Sequence, residues 1–349
     1  MDDDNAAHSP GNDDATPYAR LTPDTVLDAV AGLGMVPSGH LLALNSYENR
    51  VYQIGIDDAT AGGAFVVAKF YRPQRWSDAT ILEEHAFALE LAAQEIPIVP
   101  PLALSPPGST APTTLHNHAG YRFALFERRG GRAPELTQPE HLQWLGRFLA
   151  RMHQVGGAQR FAHRPRLTTQ RLGHDSLAFL RQCGLVSPEV ENNYFDAAER
   201  VMEAVENQFE ACGPQREIRL HGDCHPGNIL WTDAGPHFVD LDDCMQGPAI
   251  QDLWMLLSGD RTHMEGQLRE LMHGYRDFAD FDPLELHLVE SLRALRLIHY
   301  SAWLARRWHD PAFPQHFPWF NTPRYWEDQM VTLREQLERL QQAPLSLES

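Results

Sequence analysis

The chain has 349 residues, 43% of them hydrophobic, and a formal net charge of −18. That length can hold two lobes with real cores, and the charge argues against general nucleic-acid binding, which relies on basic surface to displace counterions. No apolar run is long enough to span a bilayer. The start Met1-Asp2-Asp3-Asp4 lacks the basic and apolar regions of a signal peptide, so a cytoplasmic protein with no membrane partner is expected.

Residues 1–20 read as an acidic, disordered arm carrying Asp2, Asp3, Asp4, Asp13 and Asp14. The remaining negative charge could still attract a cationic substrate. Residues 21–128 are expected to form an N-terminal lobe. Thr22 and Pro23 start its first helix, and Gly32 and Gly34 end it. Strands over 41–44 and 51–56 flank the turn Asn45-Ser46-Tyr47-Glu48-Asn49. After a turn over 57–63, Phe65-Val66-Val67-Ala68-Lys69-Phe70 reads as a third strand. Ser77 or Asp78 caps a helix to about Gln94, with Leu82, Ala86, Leu89 and Ala93 as its apolar face. Strands over 101–104 and 121–127 complete the sheet, and Gly130-Gly131 joins it to the rest.

Residues 129–349 are expected to form a larger, mainly helical C-terminal lobe. Helical spacing runs from Pro139 to Gln154 and again from Tyr194 to Phe209, where Gly213-Pro214 stops it. Short strands over 218–220, 229–231 and 237–239 follow, and the chain is largely helical after Asp243. Four of the eight tryptophans (Trp303, Trp308, Trp319 and Trp326) lie near the end, where packing of the last helices is favoured over a wall of a binding site. Cys183, Cys212, Cys224 and Cys244 make no C-x-x-C pair and read as free thiols. His221, Cys224 and His225 have no second ligand pair at zinc-finger spacing.

The segment Leu220-His221-Gly222-Asp223-Cys224-His225-Pro226-Gly227-Asn228, followed by Phe238-Val239-Asp240-Leu241-Asp242-Asp243, carries the chemistry. Its spacing is that of a kinase catalytic loop, H-x-D-x-x-x-x-N, with a later metal-binding Asp. Asp223 suits the acceptance of a hydroxyl proton, while Asn228 and Asp240 suit magnesium on the phosphates of ATP. Lys69 is the only lysine in the chain, against 28 arginines. A compact ammonium on that strand suits nucleotide phosphates as a guanidinium does not. Glu84 is expected to pair with it. The fold that follows is α+β: a small antiparallel sheet lobe and a mainly helical one.

Val67-Ala68-Lys69, the helix bearing Glu84, residues 145–153 and His221-Gly222-Asp223 together resemble the aminoglycoside phosphotransferase and choline kinase-like superfamily, which has the two-lobed protein-kinase fold. Longer strings resemble the bacterial stress response kinase A group within it: residues 44–53, Lys69-Phe70-Tyr71-Arg72-Pro73, 219–225, 251–257 and Asp310-Pro311-Ala312-Phe313-Pro314. The resemblance implies a cytoplasmic serine/threonine kinase linked to envelope and oxidative stress, acting as a monomer on ATP and a protein hydroxyl. It implies that Asp223 is the proton acceptor, that Asp240 and Asn228 bind magnesium, that Asp242 assists the metal and that Asp252 braces the loop. Ser46 then sits in the turn that replaces a glycine-rich phosphate cover. Asp240-Leu241-Asp242 replaces D-F-G and no A-P-E follows, so no ordinary activation loop is expected. A small-molecule kinase would use the same residues, and a nucleotide-binding pseudokinase would not need all of them intact.

Overall fold

A computed structural model describes residues 16–57 and 65–347. The expected turn over 57–63 and most of the acidic arm thus lie outside the described residues. Helix α1 (Pro23–Ala31) starts where Thr22 accepts from the Thr25 N–H. Strands β1 (Pro37–Leu44), β2 (Arg50–Ile56) and β3 (Phe65–Phe70) lead to helix α2 (Asp78–Ala93), capped by Ser77, and then to β4 (His116–His118) and β5 (Tyr121–Glu127). The sheet is antiparallel in the order β1-β2-β3-β5-β4, with Lys69 opposite Val51 on one side and Ala124 on the other. α1 closes one face through Val26, Ala29 and Val30, which share a core with Ile54, Phe70 and Phe123.

Three sequence expectations change here. The arm ends earlier than residue 20: Tyr18 packs on the sheet core and its hydroxyl donates to the Phe70 and Glu48 carbonyls. The expected strand over 101–104 is reduced to isolated bridges, Pro101 to Phe126 and Leu104 to Thr113, because proline has no N–H for a ladder. The edge strand is instead β4, joined to β5 by Ala119 and Gly120, both at positive φ.

The third concerns α2, which buries Ile81, Glu84, His85, Phe87, Ala88 and Leu91, while Leu82 and Leu89 are exposed. The helix is apolar on both sides, so periodicity alone does not choose the buried face. Polar partners choose it. His85 bonds the Tyr71 hydroxyl at 2.6 Å and the Thr114 hydroxyl at 2.8 Å, and Glu84 faces Lys69.

The rest of the chain is mainly helical: α3 (Pro139–Gly156), α4 (Asp175–Cys183), α5 (Glu191–Cys212), α6 (Ile250–Trp254), α7 (Arg261–Tyr275), α8 (Val289–Arg306), α9 (Ala312–His316) and α10 (Pro323–Leu340). Between α5 and α6 lie two short hairpin-like pairs. β6 (Ile218–Leu220) pairs with β9 (Met245–Gly247), and β7 (Ile229–Thr232) pairs with β8 (Gly235–Phe238). The terminal aromatics mostly fill the core. Trp326 is fully buried against Tyr194 and Phe320, and Trp308 packs on Phe320. No helix among the described residues is long and apolar enough to cross a membrane.

α3 and α7 cross with almost no space between backbones. A Cβ on Gly146 would lie 2.0 Å from the Leu271 carbonyl oxygen, and one on Gly274 1.9 Å from that of Gln143. Neither obstacle is a flexible side chain. Gly274→Ala is therefore expected to cost about 2–3 kcal/mol, read as a lower urea midpoint with unchanged slope.

Candidate active site

The loop between β6 and β7 is shaped from below. Gly222 takes φ +84°, and a Cβ there would sit 2.2 Å from the Asp243 carbonyl oxygen, so glycine is required. Asp252, fully buried at the start of α6, accepts the His221 N–H at 2.9 Å and the Gly222 N–H at 2.8 Å. His153 of α3 lies against the same carboxylate at 3.2 Å. The His221 ring donates to the Val239 carbonyl at 3.0 Å, tying the loop to the strand end that carries Asp240. The Asn228 amide donates to the Asp223 carbonyl at 2.9 Å, which leaves its Oδ1 as the atom free for a cation.

Asp240 adopts the left-handed region, φ 62° and ψ 66°, uncommon for a non-glycine residue. Its carboxylate stands half exposed, 2.9 Å from Lys69 Nζ. The ammonium also faces Asp242 at 3.3 Å and Glu84 at 3.6 Å. Burial alone would push Lys69 toward neutrality, but Asp240, Asp242 and Glu84 outweigh it and raise its pKa well above the ordinary value. Glu84 is buried, and burial pushes its carboxyl up to about 7 despite the attraction of Lys69 and the nearby Arg164.

Asp242, expected to assist the metal, is buried between two cations. Its Oδ1 faces Lys69 and its Oδ2 is held by Arg75, which also bonds Asp243. Those cations overcome burial and hold its carboxyl well below the usual range. Asp242 thus acts here as a buried counter-ion. Asp223 bonds Arg296 of α8 through Oδ1 at 2.6 Å, and its Oδ2 lies 3.4 Å from His225. Burial favours its neutral form, but His225 and Arg296 prevail and keep it ionised well below the carboxylate range.

A cleft of about 340 Å³ opens between the lobes, and Asp223 and Asp242 are not among the residues lining it. Ser46, Lys69, Glu84, Asn228 and Asp240 line it, so five of the sequence-predicted positions converge. Val51, Val67, Ala88, Phe126 and Leu230 give it apolar walls suited to a flat heterocycle. Hard oxygen donors from Asp240 and Asn228 fit magnesium, which takes few protein ligands and completes its shell with phosphates and water.

The turn over 45–49 is fastened across the cleft. Glu48 accepts from the Trp303 indole at 2.7 Å and is ion-paired with Arg307 at 2.5 Å, with Arg72 and Arg75 each 3.8 Å away. Tyr47 stacks edge-on against Phe317. Arg72 and Arg50 reach Asp310. Glu83, next to the paired Glu84, is no idle surface acid. It accepts the N–H groups of Ala162, His163 and Arg164, tying α2 to the helical lobe. Reading the sequence did not find Arg75, Arg164, Arg296 or Glu48 as site residues. The arginines lie outside the catalytic motif in a chain with 28 of them, and Glu48 sits in the turn over 45–49 without a local sign of its partners across the cleft. Cys224 and Cys244 are buried with thiol pKa values pushed up by burial, and so are packed rather than reactive.

Residues 40–289 match the model of the phosphotransferase enzyme family. The chain is 44% identical over 336 residues to stress response kinase A of Escherichia coli strain K12, covering 96% of this chain and 98% of that one. It is 43% identical, over the same shares, to a Salmonella typhimurium protein named serine/threonine protein kinase RdoA. Among solved structures it is similar to the amicoumacin kinase hAmiN in complex with AMP-PNP, Ca2+ and Ami, with a TM-score of 0.70 and 18% identity over 93% of this chain and 94% of the other. The last likeness bears on the fold alone.

The Glu84 environment carries a pH dependence. Its carboxyl must ionise to hold Lys69, so kcat/KM for ATP is expected to rise as pH increases through about 7. Glu84→Gln should lower the plateau and remove that limb. The sign for stability is opposite. A raised carboxyl pKa means the folded state binds the proton more tightly, so its contribution to stability falls as pH rises from the ordinary carboxylate range to about 7.

Proposed function

Since the chain belongs to the phosphotransferase enzyme family, and within it to the stress response kinase A group, we propose that it is a serine/threonine protein kinase of the cytoplasm, transferring the terminal phosphate of Mg-ATP to a protein hydroxyl during envelope or oxidative stress. The observation that carries this reading is the convergence of Lys69, Asn228 and Asp240 on one cleft, on a loop that also presents Asp223. We take residues 21–128 and 129–349 as the two lobes, with the nucleotide between them.

The apolar walls hold the base. The turn over 45–49, with Ser46 on the cleft side, covers the phosphates and presents backbone N–H groups to them. Lys69 offsets phosphate charge, and Glu84 sets its reach. When bound, magnesium would supply further charge neutralisation, held by Asp240 and the Asn228 amide oxygen. Asp223 orients the acceptor hydroxyl in line with the terminal phosphate and takes its proton late, as a loose transition state asks. The low Asp223 pKa is consistent with an orienting carboxylate more than with a strong base.

The test follows labelled terminal phosphate from Mg-ATP to generic proteins in one arm and to amino sugars and small alcohols in another. Label on protein Ser or Thr is expected; label only on a small molecule would move the chain among the metabolite kinases. Asp223→Ala should lower transfer by about a thousandfold with nucleotide binding largely kept. Lys69→Arg should also fail, since a planar guanidinium does not fit among three carboxylates placed for an ammonium. Near-normal turnover of that variant would refute the role given to Lys69.

A further inference from the structure

The chain is acidic overall, yet the ion-pair partners of the Asp223 carboxylate are Arg296 and His225. Arg296 projects from α8 onto Asp223 Oδ1 at 2.6 Å and keeps nearly half of its side chain exposed. His225 flanks the other oxygen. Three residues further along α8 stands His299, which hydrogen-bonds the Ser176 hydroxyl at 3.1 Å. Burial first, and then the positive charge of Arg171, Arg306, Arg307 and Arg296, lower its pKa to about 3, so the ring is neutral.

The acids of this region are already engaged. Asp243 is bonded by Arg75, and Glu48 by Arg307 and Trp303. Asp223 itself is paired with Arg296. An acceptor carrying an ammonium beside its hydroxyl would meet Arg296 as a like charge. One carrying a carboxylate would gain a bidentate partner at the point where its hydroxyl must sit.

We propose that Arg296 makes this an acidophilic site, selecting hydroxyls flanked by carboxylate side chains and rejecting aminated acceptors. Arg296 is a specificity-determining residue. It leaves Asp223 Oδ1 for the acceptor's acid as the hydroxyl takes its place, so the same guanidinium guards the carboxylate when the site is empty and reads the substrate when it is full. The inference rests on the protein-kinase reading above and deepens it by naming the class of sequence around the target residue.

The experiment compares two serine peptides of equal length, one with glutamates and one with lysines on both sides of the serine, at fixed ionic strength, with an amino alcohol as a third acceptor. The native protein should favour the acidic peptide by about tenfold or more in kcat/KM, the value of one charge-assisted contact. Arg296→Gln lowers turnover generally, through its contact with Asp223, but it should also bring the ratio close to one. Arg296→Glu should invert the ratio. Binding of a fluorescent nucleotide confirms that each variant is folded. Preference for the lysine peptide in the native protein, or a ratio unmoved by both variants, overturns the proposal and leaves the protein-kinase reading standing. Transfer to the amino alcohol with neither peptide labelled overturns both.

Discussion

One buried ammonium organises this molecule. Lys69 sits among Glu84, Asp240 and Asp242, which come from α2 and from the segment after β8, while the lysine itself is on β3. Three carboxylates around one cation would be an excess of negative charge in a dry site. Arg75 on Asp242 and Arg164 near Glu84 supply the balance. The cluster is then a network of three cations and three anions, each needing the others, since a buried charge left unpaired costs several kcal/mol. The orientation of α2, the path after β8 and the reach of β3 are fixed together because this network closes only in one arrangement.

The same network joins the lobes. Arg164 ends the segment whose N–H groups are held by Glu83, and its guanidinium donates to the carbonyls of Asp242 and Cys244. Glu48 and Asp310 do the corresponding work at the other rim of the cleft, through Trp303, Arg307, Arg50 and Arg72. These charged rims flank an apolar core that runs from Phe87, Leu91, Ile96 and Ile98 of the sheet lobe into Leu145, Leu149 and Phe238 of the helical one. Polar contacts can exchange protein partners for water and phosphate at little net cost, whereas separating an apolar interface would expose area at roughly 25 cal/mol per Å².

Much of this was legible in the sequence, for identifiable reasons. The spacing of Asp223, Asn228 and Asp240 is set by local backbone, a short loop between two short strands, so it survives as a string. Lys69 stood out because the chain uses arginine everywhere else. Glu84 faces Lys69, as the sequence suggests, although the apolar face read for α2 is not the buried one, since the helix is apolar on two sides and only its polar partners set the rotation. Arg75, Arg296 and Glu48 could not be found that way. Arg296 and Asp223 are 73 residues apart, and no local pattern marks an arginine that will meet a carboxylate across the fold. The reduced strand after Pro100-Pro101 and the packed Tyr18 failed for similar reasons: both depend on what lies opposite in space.

The solitary lysine has a chemical consequence apart from phosphate binding. Any reagent or cellular acyl donor that modifies ε-amines finds one such group in all 349 residues. It is 7% exposed and held by three carboxylates. Modification would therefore never be a surface event in this protein. It would require the cleft to open, would remove the charge on which the lobes converge, and would report on vacancy of the site with a single covalent mark.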